Sequence, residues 1–386
     1  MKKGLINQIK NIYEKNFSED FLLIDSPGRI NLIGEHTDYN EGFVFPAAID
    51  KSIVAAIGKS DSESCHLFAA DLGENYEFIP KNIKSIPNGD WRNYVVGVVG
   101  ELEKRGVYVP PFNYVFGGNI PKGAGLSSSA ALENSVVFGL NELFNLGLTK
   151  REMILISQKA EHNYVGVRCG IMDQYASMFG EEDKALLLDC RTLESKLFPL
   201  EFDNHQVVLI NTNVSHNLVE AEYNDRREVC EKVAALANIN FLRDATESLL
   251  FEVKPQLSEE EYQKALYIVQ ENERVLEACQ MLEKGNLEAF GNLLYKAHDG
   301  AQNQFKISCK ELDFLVDKAK ENPKVIGARM MGGGFGGCTI NIVEKDVVDA
   351  YLEEISKAYE AKFGISCSTY FIKISQGTHL IEQDEY

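Results

Sequence analysis

The sequence predicts a mixed α and β protein in two domains. Short apolar runs of strand type (Phe21-Leu22-Leu23-Ile24, Ile53 to Ile57, Ala185-Leu186-Leu187-Leu188, Val207-Val208-Leu209-Ile210) alternate with segments of helical periodicity. At 386 residues the chain exceeds the length at which one core keeps growing, so two units of roughly 150 to 200 residues are expected. Hydrophobic residues at 45% and charged residues at 25%, with no low-complexity tract, argue for folding throughout.

The elements follow in order. In the first seventeen residues Leu5, Ile9, Ile12 and Tyr13 share one helical face, without the continuous apolar core of a signal peptide. No apolar stretch reaches membrane-spanning length. The strand at Phe21–Ile24 should be broken by Pro27-Gly28, leaving the residues after it on a loop. Tyr94 to Leu102 reads as the start of a helix, and Tyr114-Val115-Phe116 as a short strand ending at Gly117-Gly118. From Ser127 a long helix returns Leu132, Val136, Leu140 and Leu143 to one face. Thr149 and Glu152 form a capping box that opens a helix running to about Tyr164. Glu220 to Ala237 and the acidic stretch Ala245 to Ala301 are helical. In the latter, Ser258 caps a first turn, Glu259-Glu260-Glu261, that the helix dipole favours. The last segment reads strand, helix, strand, ending near Tyr370-Phe371-Ile372. No Pro/Gly/Ser-rich linker appears, so a division into 1–190 and 191–386 rests on size alone.

A formal charge of −19, from 39 basic and 58 acidic residues, opposes attraction to nucleic acid or anionic membranes. Any bound anion then needs a local device such as a helix N-terminus, a nest of backbone amides, a metal ion or a few placed arginines. Eight cysteines without CxxC pairs disfavour a zinc ribbon or a disulfide framework, and cytoplasmic thiols are expected.

Pro121-Lys122-Gly123-Ala124-Gly125-Leu126-Ser127-Ser128-Ser129-Ala130, between a strand and the long helix, is a phosphate-binding arrangement. Glycines let amides approach an anion, the helix N-terminus adds positive potential, and serine hydroxyls add donors or a magnesium ligand. It is not a Walker A loop, because Ala124-Gly125 stand where Lys-Ser/Thr is required. Gly332 to Gly337 satisfies a bare GxGxxG, yet Cys338 to Val343 is a strand pattern where a dinucleotide fingerprint must open a helix. A loop lining a ligand site is the better functional reading, beside that of a flexible hairpin loop.

The segment PGRINLIGEHTDYN, Pro27 to Asn40, crowds Arg29, Glu35, His36 and Asp38 together. By chemistry alone it is either a solvated loop with one ion pair or a grip for sugar hydroxyls. Asp173, in Cys169-Gly170-Ile171-Met172-Asp173-Gln174, sits among apolar neighbours and if buried must be paired or functional. Glu161 shares a helix face with Gln158 and could coordinate a cation. Arg226 and Arg227 follow Tyr223 on a helix, where surface ion pairs are the default.

GRINLIGEHTDYN (Gly28 to Asn40), PKGAGLSSSAALE (Pro121 to Glu133) and MGGGFGGCT (Met331 to Thr339) resemble the three motifs of the GHMP small-molecule kinases. The GEHTDYN form resembles the galactokinases within that superfamily, as do CGIMDQ, EYNDRREVCE and LLLDCRTL. The resemblance runs from about residue 20 to 386. It implies an α+β fold of two lobes, an N-terminal mixed-sheet lobe and a ferredoxin-like C-terminal lobe, with the active site in the cleft between them. It also implies ATP-dependent phosphorylation of the C1 hydroxyl of α-D-galactose, with MgATP and galactose as partners and no obligate protein partner. Carried over by position, Glu35, His36, Thr37, Asp38, Gly170 and Tyr223 would hold the sugar, with Asp173 facing the C1 hydroxyl and Arg29 beside it. Gly123, Ala124, Gly125, Leu126, Ser127, Ser128 and Ser129 would wrap the phosphates, Trp91 would lie near adenine, and Ser129 and Glu161 would ligate magnesium. Two alternatives stand beside this: a related kinase such as one for N-acetylgalactosamine, and a non-catalytic sensor of galactose and ATP. The unbroken Ser127-Ser128-Ser129-Ala130 and the presence of Asp173 favour an enzyme over a sensor.

Overall fold

The apolar runs of the N-terminal half become strands buried on both faces, which is why they read as continuous rather than alternating. A computed structural model describes residues 2–17, 20–200, 202, 204–214 and 219–382. Its first part comprises α1 (Lys2–Asn16), β1 (Phe21–Asn31), β2 (Phe43–Val44), β3 (Pro46–Lys59), β4 (Cys65–Ala69), β5 (Glu74–Phe78), α2 (Trp91–Lys104) and β6 (Phe112–Gly118). Then come α3 (Ser128–Phe144), α4 (Lys150–Ala160), α5 (Met172–Phe179), β7 (Lys184–Asp189) and β8 (Glu194–Pro199). The remainder is β9 (His205–Asn211), α6 (Val219–Leu236), α7 (Glu247–Val253), α8 (Glu259–Glu283), α9 (Leu287–Gly300), α10 (Lys310–Glu321), β10 (Val325–Met330), β11 (Cys338–Glu344), α11 (Val348–Phe363), β12 (Ser368–Phe371) and β13 (His379–Leu380).

Among the described residues the strands form three sheets, ordered β13-β1-β3-β6-β4-β5, β2-β7-β8 and β10-β11-β9-β12. In the first, only β4 and β6 run parallel. The third is wholly antiparallel and has the ferredoxin-like order, so the fold is the expected α+β arrangement. The strand β13 returns to the first sheet beside β1.

Successive residues of β1 and β3 serve opposite layers. Ile24, Ala55 and Ile57 pack with Val95, Leu132, Val136 and Leu140 of α2 and α3, while Leu23, Val54 and Ala56 pack with Ile6, Ile9 and Tyr13 of α1. The buried stripe of α1 is thus centred on Ile6, Ile9 and Tyr13, with Leu5 and Ile12 at its margins rather than in it. Both capping boxes form, at Thr149 with Glu152 and at Ser258 with Glu261.

One expectation fails. β1 does not stop at Pro27-Gly28 but continues to Asn31, with its register on β3 shifted between Pro27 and Arg29. The irregularity absorbs the missing N–H of Pro27. Gly28 is there for close approach, since a Cβ would lie 2.5 Å from the Leu126 carbonyl oxygen. The Arg29 amide donates to that same oxygen at 3.1 Å, which stitches β1 to the phosphate-type loop. Arg29 therefore projects from a strand, a stiffer support than a loop.

Candidate active site

Arg29 and Asp173 meet where the end of β1 faces the first turn of α5. Arg29 Nε donates to Asp173 Oδ1 at 2.7 Å and Nη2 to Oδ2 at 2.9 Å, a bidentate pair. Nη1 donates to the Gly125 carbonyl at 2.5 Å, so the guanidinium also ties the carboxylate to the glycine loop. Arg29 is buried, whereas the Asp173 side chain keeps 27% of its surface open to the pocket. Ser127, in the left-handed region with φ 57°, donates its hydroxyl to Asp173 Oδ2.

The pocket over this pair is lined by Glu35, His36, Asp38, Glu161, Gly170, Tyr223 and Gly332. Its charged groups are locked before any ligand arrives. Glu35 Oε1 accepts from Arg329 Nη2 at 2.7 Å and from the Gly332 amide at 2.9 Å. Arg329 also donates to the carbonyls of Asn31, Leu32 and Met330, so every nitrogen of the guanidinium is hydrogen-bonded in this buried ion pair. His36 Nε2 lies 3.2 Å from the Gly333 carbonyl, which can only accept, so the proton sits on Nε2 and Nδ1 accepts from Tyr39 Oη at 2.8 Å. Burial pulls the imidazole down to about 4 against the opposing pull of Glu35, which keeps the ring neutral at ordinary pH. Asp38 accepts from the amides of Tyr39 (2.9 Å) and Met172 (3.4 Å), while burial, and after it Asp173, push its carboxyl up to about 6. Any Cβ on Gly170 would lie 1.9 Å from Asp38 Oδ2.

On the other side of the Ser127–Ser129 turn lies a second, more apolar slot. Its walls include Ile53, Trp91, Tyr94, Phe116, Ile120 and Leu132, together with Lys122, Ser128 and Ser129. The N-terminus of α3 points its free amides there. Trp91 is held by its Nε1 donating to Glu74 Oε2 at 3.0 Å. Gly123 and Gly125 are exposed, whereas Ala124 and Leu126 bury their side chains and so anchor the loop.

Two helices end in π turns beside the pocket, Glu161–Val165 after α4 and Ala301–Phe305 after α9. Such turns widen the helix and re-aim side chains. The first places Glu161, which bonds with Ser129 and whose carboxyl burial, then Asp173, push up to about 7. The second sets Phe305 against His36, ring centroids 5.1 Å apart, with Tyr223 at 4.8 Å from the same histidine.

Family models place this geometry. The galactokinase galactose-binding signature matches residues 11–59, the GHMP kinase N-terminal domain residues 93–181 and the GHMP kinase C-terminal domain residues 276–361. The chain is 40% identical to a galactokinase of Clostridium beijerinckii, over 97% of this chain and 99% of that one. It is 38% identical to a galactokinase of Fusobacterium nucleatum, over 98% and 99% respectively. The chain belongs to the galactokinase family. The solved structure of Lactococcus lactis galactokinase complexed with galactose superposes with a TM-score of 0.93 at 34% identity, covering 97% of this chain and 99% of that one. Mevalonate kinase, at 19% identity and TM-score 0.64, shares the fold. The protein is thus an enzyme, a kinase of the GHMP superfamily.

Most residues singled out from the galactokinase motifs converge: Arg29, Glu35, His36, Asp38, Glu161, Gly170, Asp173 and Tyr223 line one pocket, and Trp91, Ser128 and Ser129 the adjoining slot. Thr37 does not join them. Its single hydroxyl hydrogen is shared between the carbonyls of Gly34 (2.9 Å) and Phe43 (2.6 Å), and the side chain is wholly buried, so it shapes the loop and is not part of the pocket lining. Arg226 does form the expected ion pairs, with Glu222 at 3.0 Å and Asp225 at 2.7 Å, but not as a surface side chain. It is buried, donates to the carbonyls of Phe305 and Lys306 at 3.0 Å each, and so caps the second π turn. The glycine loop Gly332–Gly337 does lead into a strand, β11, and not a helix. Sequence reasoning missed Arg329 and Phe305. The former left a signal, an arginine inside the apolar strand Val325–Met330, where a charge must find a partner. Phe305 left none.

Proposed function

We propose that the protein transfers the γ-phosphoryl group of ATP to the C1 hydroxyl of α-D-galactose, giving galactose 1-phosphate and ADP. One observation carries the reading: the Arg29–Asp173 pair stands where the polar pocket and the serine-rich turn of the apolar slot meet. A sugar in the first and a nucleotide in the second would present hydroxyl and γ-phosphorus to each other across that pair.

In this reading Asp173 accepts the C1 hydroxyl proton as the oxygen bonds to phosphorus and the bond to ADP breaks. Arg29, fixed on three sides, stabilises the negative charge on the reacting oxygens without having to reorganise. Glu35 and Asp38 offer carboxylate acceptors to sugar hydroxyls beside the neutral ring of His36, with Gly170 leaving room for Asp38 and Tyr223 closing the wall. Gly123 to Ser129 give amides and hydroxyls to the phosphates, and Trp91 lies along the base. Ser129 and Glu161 fit a magnesium ion: Glu161, lining the pocket, bonds with Ser129, lining the slot, both are hard oxygen ligands, and a buried carboxylate there gains from a cation. Among the described residues no three His, Cys, Asp or Glu side chains form a metal-holding group, which suits an ion completed by water and phosphate oxygens. When bound, magnesium neutralises charge on the transferring phosphates.

We place the lobe boundary near residue 190 and the protein in the cytoplasm. All eight cysteines are free, and among the described residues no helix is long and apolar enough to cross a membrane. ADP release measured with galactose, N-acetylgalactosamine and no sugar, each with magnesium, tests the reaction. Galactose should dominate. Clear preference for the N-acetylated sugar, or ADP release from none, would overturn the proposal.

A further inference from the structure

At the back wall of the pocket, five buried polar side chains join the three helices on which the site depends, and of these Glu161 alone reaches the pocket. Glu133 and Asn134 lie on α3, which begins at the serines; Ser157 and Glu161 lie on α4 and its π turn; Gln174 lies on α5, next to Asp173. Ser157 Oγ donates to Asn134 Oδ1 at 2.9 Å, and Asn134 Nδ2 donates to the backbone carbonyl of Gln174 at 2.9 Å. The Gln174 amide then bridges two carboxyl groups, donating to Glu161 Oε2 at 2.9 Å and Glu133 Oε2 at 3.3 Å. Glu133 is 0% exposed, and among the described residues its only hydrogen bond is the one from Gln174.

A buried polar node of this kind is costly to assemble and poor at adding stability, so a simpler apolar contact would serve if helix packing were all that mattered. What it does supply is direction. An amide with two hydrogens can hold two carboxyl groups at once, which turns Glu161 Oε2 to the protein while the same carboxyl bonds with Ser129. Because Gln174 is covalently next to Asp173, the same bond sets the spacing between the cation-facing carboxylate and the proton acceptor.

We propose that Gln174, held by Glu133 and Asn134, is a positioning residue that aims Glu161 at the metal of the bound nucleotide. This rests on the proposed kinase reaction only for its catalytic consequence. Outer groups that orient a ligand typically govern about 10- to 100-fold in metal affinity or rate.

The test is Gln174→Met, similar in shape but without donors. Mn²⁺ binding in the presence of ADP and without sugar, followed by electron paramagnetic resonance, should weaken about tenfold or more. Galactose affinity of the nucleotide-free protein, by calorimetry, should stay within about twofold, since the sugar ligands lie outside the node. Unchanged Mn²⁺ affinity would overturn the proposal, as would an equal loss of galactose affinity, which marks a merely structural role. If Gln174→Met fails to fold, Glu133→Gln against Glu133→Leu decides, because only the first keeps an acceptor for Gln174. Better Mn²⁺ binding in Glu133→Gln supports the inference, and equal binding in the two refutes it. Should the wild-type enzyme leave galactose unphosphorylated, the proposed reaction fails while the Mn²⁺ titrations still judge the node.

Discussion

The sugar-type pocket and the nucleotide-type slot lie on either side of one serine turn, yet they are made of opposite materials. The pocket is a set of polar and charged groups, mostly buried, each held by hydrogen bonds: Glu35 by Arg329, Asp173 by Arg29, His36 by Tyr39 and Gly333. The slot is apolar wall and exposed backbone, with Lys122 and two serines in its lining. Fixed charges discriminate between hydroxyl arrangements because a mismatched sugar leaves a buried acceptor unpaired. Backbone amides and an apolar wall suit a phosphate chain and a flat base, for which shape suffices. The empty pocket should therefore be a local weak point in stability, and the slot should not.

The largest effect should come from the group that both halves share. Asp173→Asn keeps shape but loses the proton acceptor, so kcat should fall by roughly two to four orders of magnitude while calorimetric galactose binding changes only a few-fold. Near-normal turnover would remove Asp173 from its assigned role. Gly170→Ala next separates the two halves. Its methyl group would collide with Asp38, so the KM for galactose should rise about 10- to 100-fold with the KM for ATP unmoved. A parallel rise in both would mean that the halves are not independent.

Trp91 is the sole tryptophan of the chain, and its fluorescence should respond to ADP but not to galactose. Trp91→Phe should raise the KM for ATP about three- to tenfold, since much of the stacking surface remains. A response to sugar alone would misplace the slot. The smallest effect concerns the empty protein. Asp38, raised from 3.8 to about 6, contributes stability that is present below pH 3.8 and lost as pH rises through about 6. Without ligands Asp38→Asn should accordingly melt about 2–4 °C above wild type at pH 8, the gap closing towards pH 4. His36 has the opposite sign, its neutral form resisting acid, and it is common to both proteins. A lower melting point for Asp38→Asn at pH 8 would show that the pocket carboxylates are not strained.

Much of this was legible beforehand because it is local. The capping box at Thr149, the N-cap at Ser258, the strand after Gly332–Gly337 and the helix after Ser127 depend on neighbours in the chain, and all formed as read. Arg29 was read onto a loop because proline and glycine usually end a strand, whereas pairing with β3 carries β1 across a bulge. Thr37 was read as a sugar contact because its motif places it between Glu35, His36 and Asp38, which line the pocket. Only the folded loop shows its hydroxyl turned onto Gly34 and Phe43.

The sequence by itself determined the kinds of chemistry present: an acidic chain with one phosphate-type loop, a crowded Glu-His-Asp segment and an aspartate in an apolar setting, which with the motifs pointed to one family. Tertiary structure alone decided which of those groups share a site and in what state. Arg329 reaches Glu35 across 294 residues and Gln174 joins Glu133 to Glu161 across 41 and 13, separations that leave no periodic trace in the chain. Charge state follows the same rule: burial, which sets Asp38 near 6 and His36 near 4, is a property of the packed molecule and not of any stretch of sequence.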